Sequence, residues 1–211
     1  MKLLLRLCGS AVVAGSMLAK EAPAAALVRD LGQGLAYYRV HTLPADLPSI
    51  PGGKPGACVL DLRFAKSDET AALALRAWIK FNASARAPVF VLENSETNPA
   101  ILSSVPEGVA GLLVLAPEPA KLGPDIAVRV APDADRRAYD ALEKGAPVES
   151  LLSDYPEKPR VDEEYLEKEH LSDSDAPDAE AGKPLPPPPL VDAMLQRAVQ
   201  LHRGLLALKR I

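Results

Sequence analysis

The sequence predicts an α/β domain built on a mainly parallel sheet of βα units. Two short apolar runs carry the prediction, residues 57–64 (ACVLDLRF) and 88–93 (PVFVLE). Each follows a turn signal, Pro55-Gly56 or Ala87-Pro88. Runs of this length, rich in Val, Leu and Phe, read as strands covered on both faces. Between them, Ala71, Leu75, Trp78 and Ile79 recur at helical spacing within residues 67–85, as on the apolar face of a helix. Strand, helix, strand is the unit of a parallel sheet.

In chain order, LAYYRVHTL at 35–43 alternates and is aromatic, which predicts a strand with one wet face. Residues 44–55 form a loop punctuated by Pro44, Pro48, Pro51, Gly52, Gly53 and Pro55. The strand at 57–64, a helix over about 67–84 and the strand at 88–93 follow. Thr97 or Asn98 is placed to cap a short helix with Pro99 at its first position. That helix carries Ala100, Ile101, Leu102 and Val105. GLLVLA at 111–116 and DIAVRV at 125–130 are predicted strands. Residues 133–144 read as a helix with Ala138, Leu142 and Ala141 inward, stopped by Gly145.

Four segments emerge: a leader at 1–24, an α/β core at 25–152, an acidic and Pro-rich linker at 153–189, and a C-terminal helix at 190–211. The leader begins with Lys2 and Arg6, continues through an interrupted apolar run at 7–18, and ends in Ala22-Pro23-Ala24. This is the pattern of an export signal, and the run is shorter than the roughly 20 residues that span a bilayer. A periplasmic or secreted protein is expected, with no stable membrane span after cleavage. An uncleaved anchor or a buried N-terminal helix is the alternative. Removing the leader removes Cys8 and leaves Cys58 as the only thiol. No intramolecular disulfide is then available, and Cys58 reads as a small buried hydrophobe.

The chain of 211 residues carries a formal net charge of −4, which argues against a nucleic-acid binder that works by neutralising phosphates. Residues 149–180 hold 12 acidic and 3 basic side chains, a net of −9 that leaves +5 on the rest. Within them, 172–178 has the composition of disorder. PLPPPP at 184–189 is an extended spacer. Beyond it, Val191, Met194, Leu195, Ala198, Val199, His202, Leu205 and Leu206 form a helical apolar stripe with basic residues on its polar side. The helix is expected to dock on its own chain; pairing with another protein is the competing reading.

No site for a metal or cofactor is legible. His41, His170 and His202 are far apart, and neither a zinc spacing nor a calcium loop is present. Gly32-Gln33-Gly34 and Gly52-Gly53-Lys54 lack the frames of dinucleotide and phosphate loops. Nor is there a G-x-S-x-G elbow. Ser67, Ser95, Ser103 and Ser104 lie near predicted strand ends, and Ser103 with Lys121 is a conceivable nucleophile and base pair, given that a desolvated Lys can activate a Ser.

The order of motifs, GLAYYRV, then VLDLR, a helix, then PVFVLEN followed by a Thr, resembles the carboxyl-terminal processing (tail-specific) serine peptidases. These are exported enzymes with the Clp protease/crotonase-like fold, and the likeness covers roughly residues 35–121. In the family, I-L-D-L-R is followed by x-N-x-G-G. A later V-L-V-N strand and a Thr or Ser precede A-S-A-S-E, whose first Ser is the nucleophile; a Lys further on is its base. Asp61, Leu62 and Arg63 match the D-L-R, and Asn94 and Thr97 match the second motif. The Asn and two Gly fall on Ala65, Ser67 and Asp68. The nucleophile falls on Pro99, or on Asn98 with a one-residue slip. Lys121 lies near the position of the base.

Side chains at both glycine positions, one anionic, oppose a backbone oxyanion site, and neither Pro nor Asn can be acylated as a Ser is. The resemblance therefore implies an exported, catalytically inactive relative that binds peptides or proteins or acts as a scaffold, with homo-oligomerisation as one route. The alternatives are an active hydrolase using Ser103 and Lys121, and an unrelated exported α/β binding domain.

Overall fold

The computed structural model describes residues 27–48, 56–119, 123–152 and 189–211. The leader, Lys121, and the acidic and proline-rich stretch at 153–188 lie outside these residues.

Six strands form one sheet in the order of the sequence. They are β1 Leu27–Asp30, β2 Ala36–Arg39, β3 Cys58–Asp61, β4 Val89–Leu92, β5 Leu112–Pro117 and β6 Ile126–Val128. β1 pairs with β2 antiparallel; every later pair is parallel. The apolar runs thus form the central strands, and all four residues of β3 and of β4 are buried.

Helix α1, Glu69–Asn82, crosses from β3 to β4, and α2, Pro99–Ser104, from β4 to β5. The side chain of Asp68 accepts from the Ala71 amide and starts α1; that of Asn98 accepts from the Ala100 amide and starts α2, with Pro99 in its first turn. Both helices cover the same face, burying Ala71, Leu75, Ile79 and Ile101 against Cys58, Leu60, Leu62, Val89 and Val91. Successive crossovers of one hand advance the sheet in one direction and keep their helices on one side. Where β5 begins, Gly111 has φ +82, and a Cβ there would lie 2.0 Å from the Ser84 carbonyl oxygen. Only glycine fits this close approach.

The opposite face is covered by α3, Pro132–Glu143, by a 3-10 turn at Val148–Leu151, and by α4, Ala193–Ala207. Met194, Leu195, Ala198 and Val199 of α4 pack on Tyr37, Val59, Phe90, Leu92 and Leu115. The C-terminal helix is therefore part of the core rather than a separate unit.

β1 supplies an edge strand that the hydrophobic pattern does not announce, because LVRD is short and mostly exposed. β2 alternates: Tyr37 and Arg39 are fully buried, while Ala36 and Tyr38 on the other face are part-exposed and pack on the α1 side. No helix among the described residues is long and apolar enough to cross a membrane.

Candidate functional site

Alternation along VLDLR puts Val59, Asp61 and Arg63 on one side of the sheet and Leu60 and Leu62 on the other. On the α4 side the face is apolar in the middle and charged at the carboxyl ends of the strands. Register sets Arg39 beside Asp61. The Asp61 and Arg63 side chains are both 0% exposed.

Arg63 uses its whole guanidinium fork. Nε donates to Asp61 Oδ1 at 2.9 Å and Nη2 to Asp61 Oδ2 at 2.7 Å. Nη1 donates to Asp135 Oδ1 at 2.7 Å and to Asp192 Oδ1 at 3.1 Å, and Nη2 also to Asp192 Oδ2 at 2.9 Å. One cation thereby joins β3, α3 and the residue that caps α4. The donors of a guanidinium are matched in number by these acceptors.

Asp61 also accepts from Tyr37 Oη at 2.6 Å, and Arg39 Nε donates to that hydroxyl at 3.0 Å. Burial alone would raise the Asp61 carboxyl; the charge and hydrogen bonds of Arg63, then Arg39 and Tyr37, outweigh it and hold the group below its usual range. Arg39 Nη1 donates to the Tyr139 carbonyl and to Glu143 Oε2 at 2.8 Å. Its Nη2 has no hydrogen-bond partner, but the guanidinium lies 3.8 Å from the centre of the Tyr139 ring, a cation–π contact that offsets part of the loss. Every charged member is engaged by a neighbour, so the cluster is a structural clamp.

Beside this clamp, at the carboxyl ends of β4 and β5, lies a cavity of about 560 Å³. Its position is where parallel α/β sheets bind ligands. Phe64, Leu102, Ala116, Pro117 and Val130 give it apolar walls, and Glu93, Asn94, Glu96, Asp135 and Arg136 give it polar points. Phe64 has φ +63, a backbone state that costs a non-glycine residue about 1–3 kcal/mol. Its ring rests against Tyr139 at 4.7 Å and under the Arg136 guanidinium at 4.5 Å. Glu93 is buried and its carboxyl is pushed up to about 7, first by burial and then by the charge of Asp125.

The residues singled out by resemblance fall together on the α1–α2 side. Ala65 is buried. Ser67 Oγ donates to the Asp68 carbonyl, and Asp68 is committed to the α1 cap. Asn98 Nδ2 donates to the Ser67 carbonyl at 3.2 Å. The loop matching the oxyanion glycines and the turn matching the nucleophile are thus neighbours, and they are tied to each other. Pro99 occupies the first turn of α2. Ser103 is exposed, donates its hydroxyl to the Ala100 carbonyl and does not line the cavity. Lys121 lies outside the described residues. Cys58 is buried, and burial pushes its thiol up to about 12, far from the thiolate that a nucleophile needs. Among the described residues no group of His, Cys, Asp and Glu is arranged to hold a metal ion.

Sequence reasoning matched Asp61 and Arg63 to a motif but missed their partners, and it missed Glu93 and Phe64 as cavity residues. An acidic residue closing a buried strand was the available signal for Glu93. The chain matches no family model, no curated protein and no solved structure.

Proposed function

We propose that this chain is an exported, catalytically inactive relative of the carboxyl-terminal processing peptidases, with the Clp protease/crotonase-like frame, and that it binds peptides at the carboxyl edge of its sheet. The observation that carries the reading is the Asn98–Ser67 contact of 3.2 Å. It brings the positions matching nucleophile and oxyanion loop side by side, as the resemblance requires. The groups found there are an amide, a proline ring and an aspartate that caps a helix.

The adjacent parallel order of β3, β4 and β5, with α1 and α2 on one side, supports the same frame. The cavity supports binding: its volume is that of a small-ligand pocket, about 300–1,000 Å³, with apolar walls and few polar points.

The test combines binding and integrity. Fluorescent heptapeptide pools are titrated against the purified chain by polarisation, and the recovered peptides are weighed by mass spectrometry. The reading expects saturable binding and peptides of unchanged length. Cleavage of the pool, or no binding to any peptide, would overturn it.

A further inference from the structure

Glu93 closes β4 and faces the cavity with 6% of its surface exposed. Among the described residues its carboxyl receives no hydrogen bond and no ion pair, unlike Asp61, Asp135 and Asp192 nearby. The residue is almost wholly covered, and what contact the carboxyl keeps is with the cavity; a carboxyl so placed with no protein donor is costly to a fold. Such a group is retained at a cavity wall where an incoming ligand supplies the donor.

The sign of that ligand follows from the surrounding charges. Asp125 acts on Glu93 from the start of β6. The turn after β4 contributes Glu96 and the end of β5 contributes Glu118; α3 contributes Asp135 and Arg136. α2, which supplies Leu102, has no charged residue. Arg136 is the cation of this lining, and it is engaged by Asp140 at 3.1 Å and by the Phe64 ring. Asp135 is likewise engaged by Arg63 at 2.7 Å and Glu118 by Arg129 at 3.3 Å, so the charge around Glu93 that no described cation engages is that of Glu96 and Asp125, both acidic. The apolar walls suit the methylene stem of a long basic side chain, whose head alone requires charge.

Resting on the peptide-binding reading above, we propose that Glu93 is the specificity determinant of the cavity, taking the cationic head of a lysine or arginine side chain of a bound peptide. Phe64, Leu102 and Ala116 enclose the stem. A buried carboxylate aimed at a cation discriminates strongly, because a neutral isostere leaves it unpaired. Preference for the cation also rises with pH as Glu93 ionises around pH 7.

Two fluorescent heptapeptide pools test this, one with lysine and one with norleucine at the centre, and both with flanking positions drawn from Ala, Ser, Leu and Val. At pH 8 the lysine pool is expected to bind the full chain about tenfold tighter or more, with the advantage shrinking towards pH 6. Glu93→Gln, checked by circular dichroism for an intact fold, is expected to abolish the advantage while norleucine binding stays within about twofold. Equal binding of both pools, or a lysine advantage that survives Glu93→Gln, would overturn this inference alone. Failure of both pools to bind would overturn it together with the peptide-binding reading.

Discussion

Arg63 and Asp192, 129 residues apart in the sequence, are joined by two hydrogen bonds of 3.1 and 2.9 Å in a site closed to water. Asp192 also accepts from the Leu195 amide at 3.0 Å, so the same carboxylate starts α4 and fastens it to β3. The last helix of the chain is thus held by a charge pair at one end and by apolar packing along its length. Removing Arg63 leaves three buried carboxylates without their shared cation. Arg63→Met is expected to cost about 3–5 kcal/mol, read as a shift in urea midpoint. Asp192→Asn, which can still cap the helix, is expected to cost less than Arg63→Met.

The clamp also sets the acid response. Burial favours the protonated form of Asp61, but Arg63 and Arg39 hold its folded-state pKa below the unfolded one. Its stabilisation is present above the unfolded pKa and is lost as pH falls through the folded value. In Arg63→Met the largest source of that depression is removed, leaving Arg39 and Tyr37 against burial. That variant is expected to lose less stability on acidification from pH 7 to pH 4 than the parent does. Denaturant titrations at the two pH values check this.

Glu93 has the opposite sign. Its folded pKa of about 7 lies above the ordinary glutamate value of 4.5, so the folded state holds an extra proton between those values and stability falls as pH rises through the window. Glu93→Gln removes that cost. It is expected to stabilise the free chain by about 1–3 kcal/mol at pH 8, with the gain vanishing near pH 5. A thermal midpoint series across pH reads it.

Leu60 is fully buried between β2 and β4 beneath α1. Leu60→Ala is expected to cost about 2–5 kcal/mol, measured by urea unfolding. A change near zero would remove β3 from the core.

What the sequence discloses and what it hides divide along physical lines. The central strands were legible because both faces are covered, so VLDL and VFVL are nearly continuous apolar runs. α1 was legible from its periodicity, and α2 from Asn98-Pro99. The surroundings of Arg39 were hidden because alternation identifies two faces without saying what lies against either; here Tyr139 and Glu143 engage it. The partners of Arg63 were hidden because Asp135 and Asp192 reach it through tertiary folding alone, across 72 and 129 residues. The cavity was hidden for the same reason: Glu93, Leu102 and Val130 meet only at the strand ends.

The most direct test of the central claim, a peptidase-like frame whose bond-breaking groups have been replaced, is the intact mass of the chain after incubation with a fluorophosphonate probe. The account predicts an unchanged mass. A stoichiometric adduct on the parent chain that disappears in Ser103→Ala would contradict it.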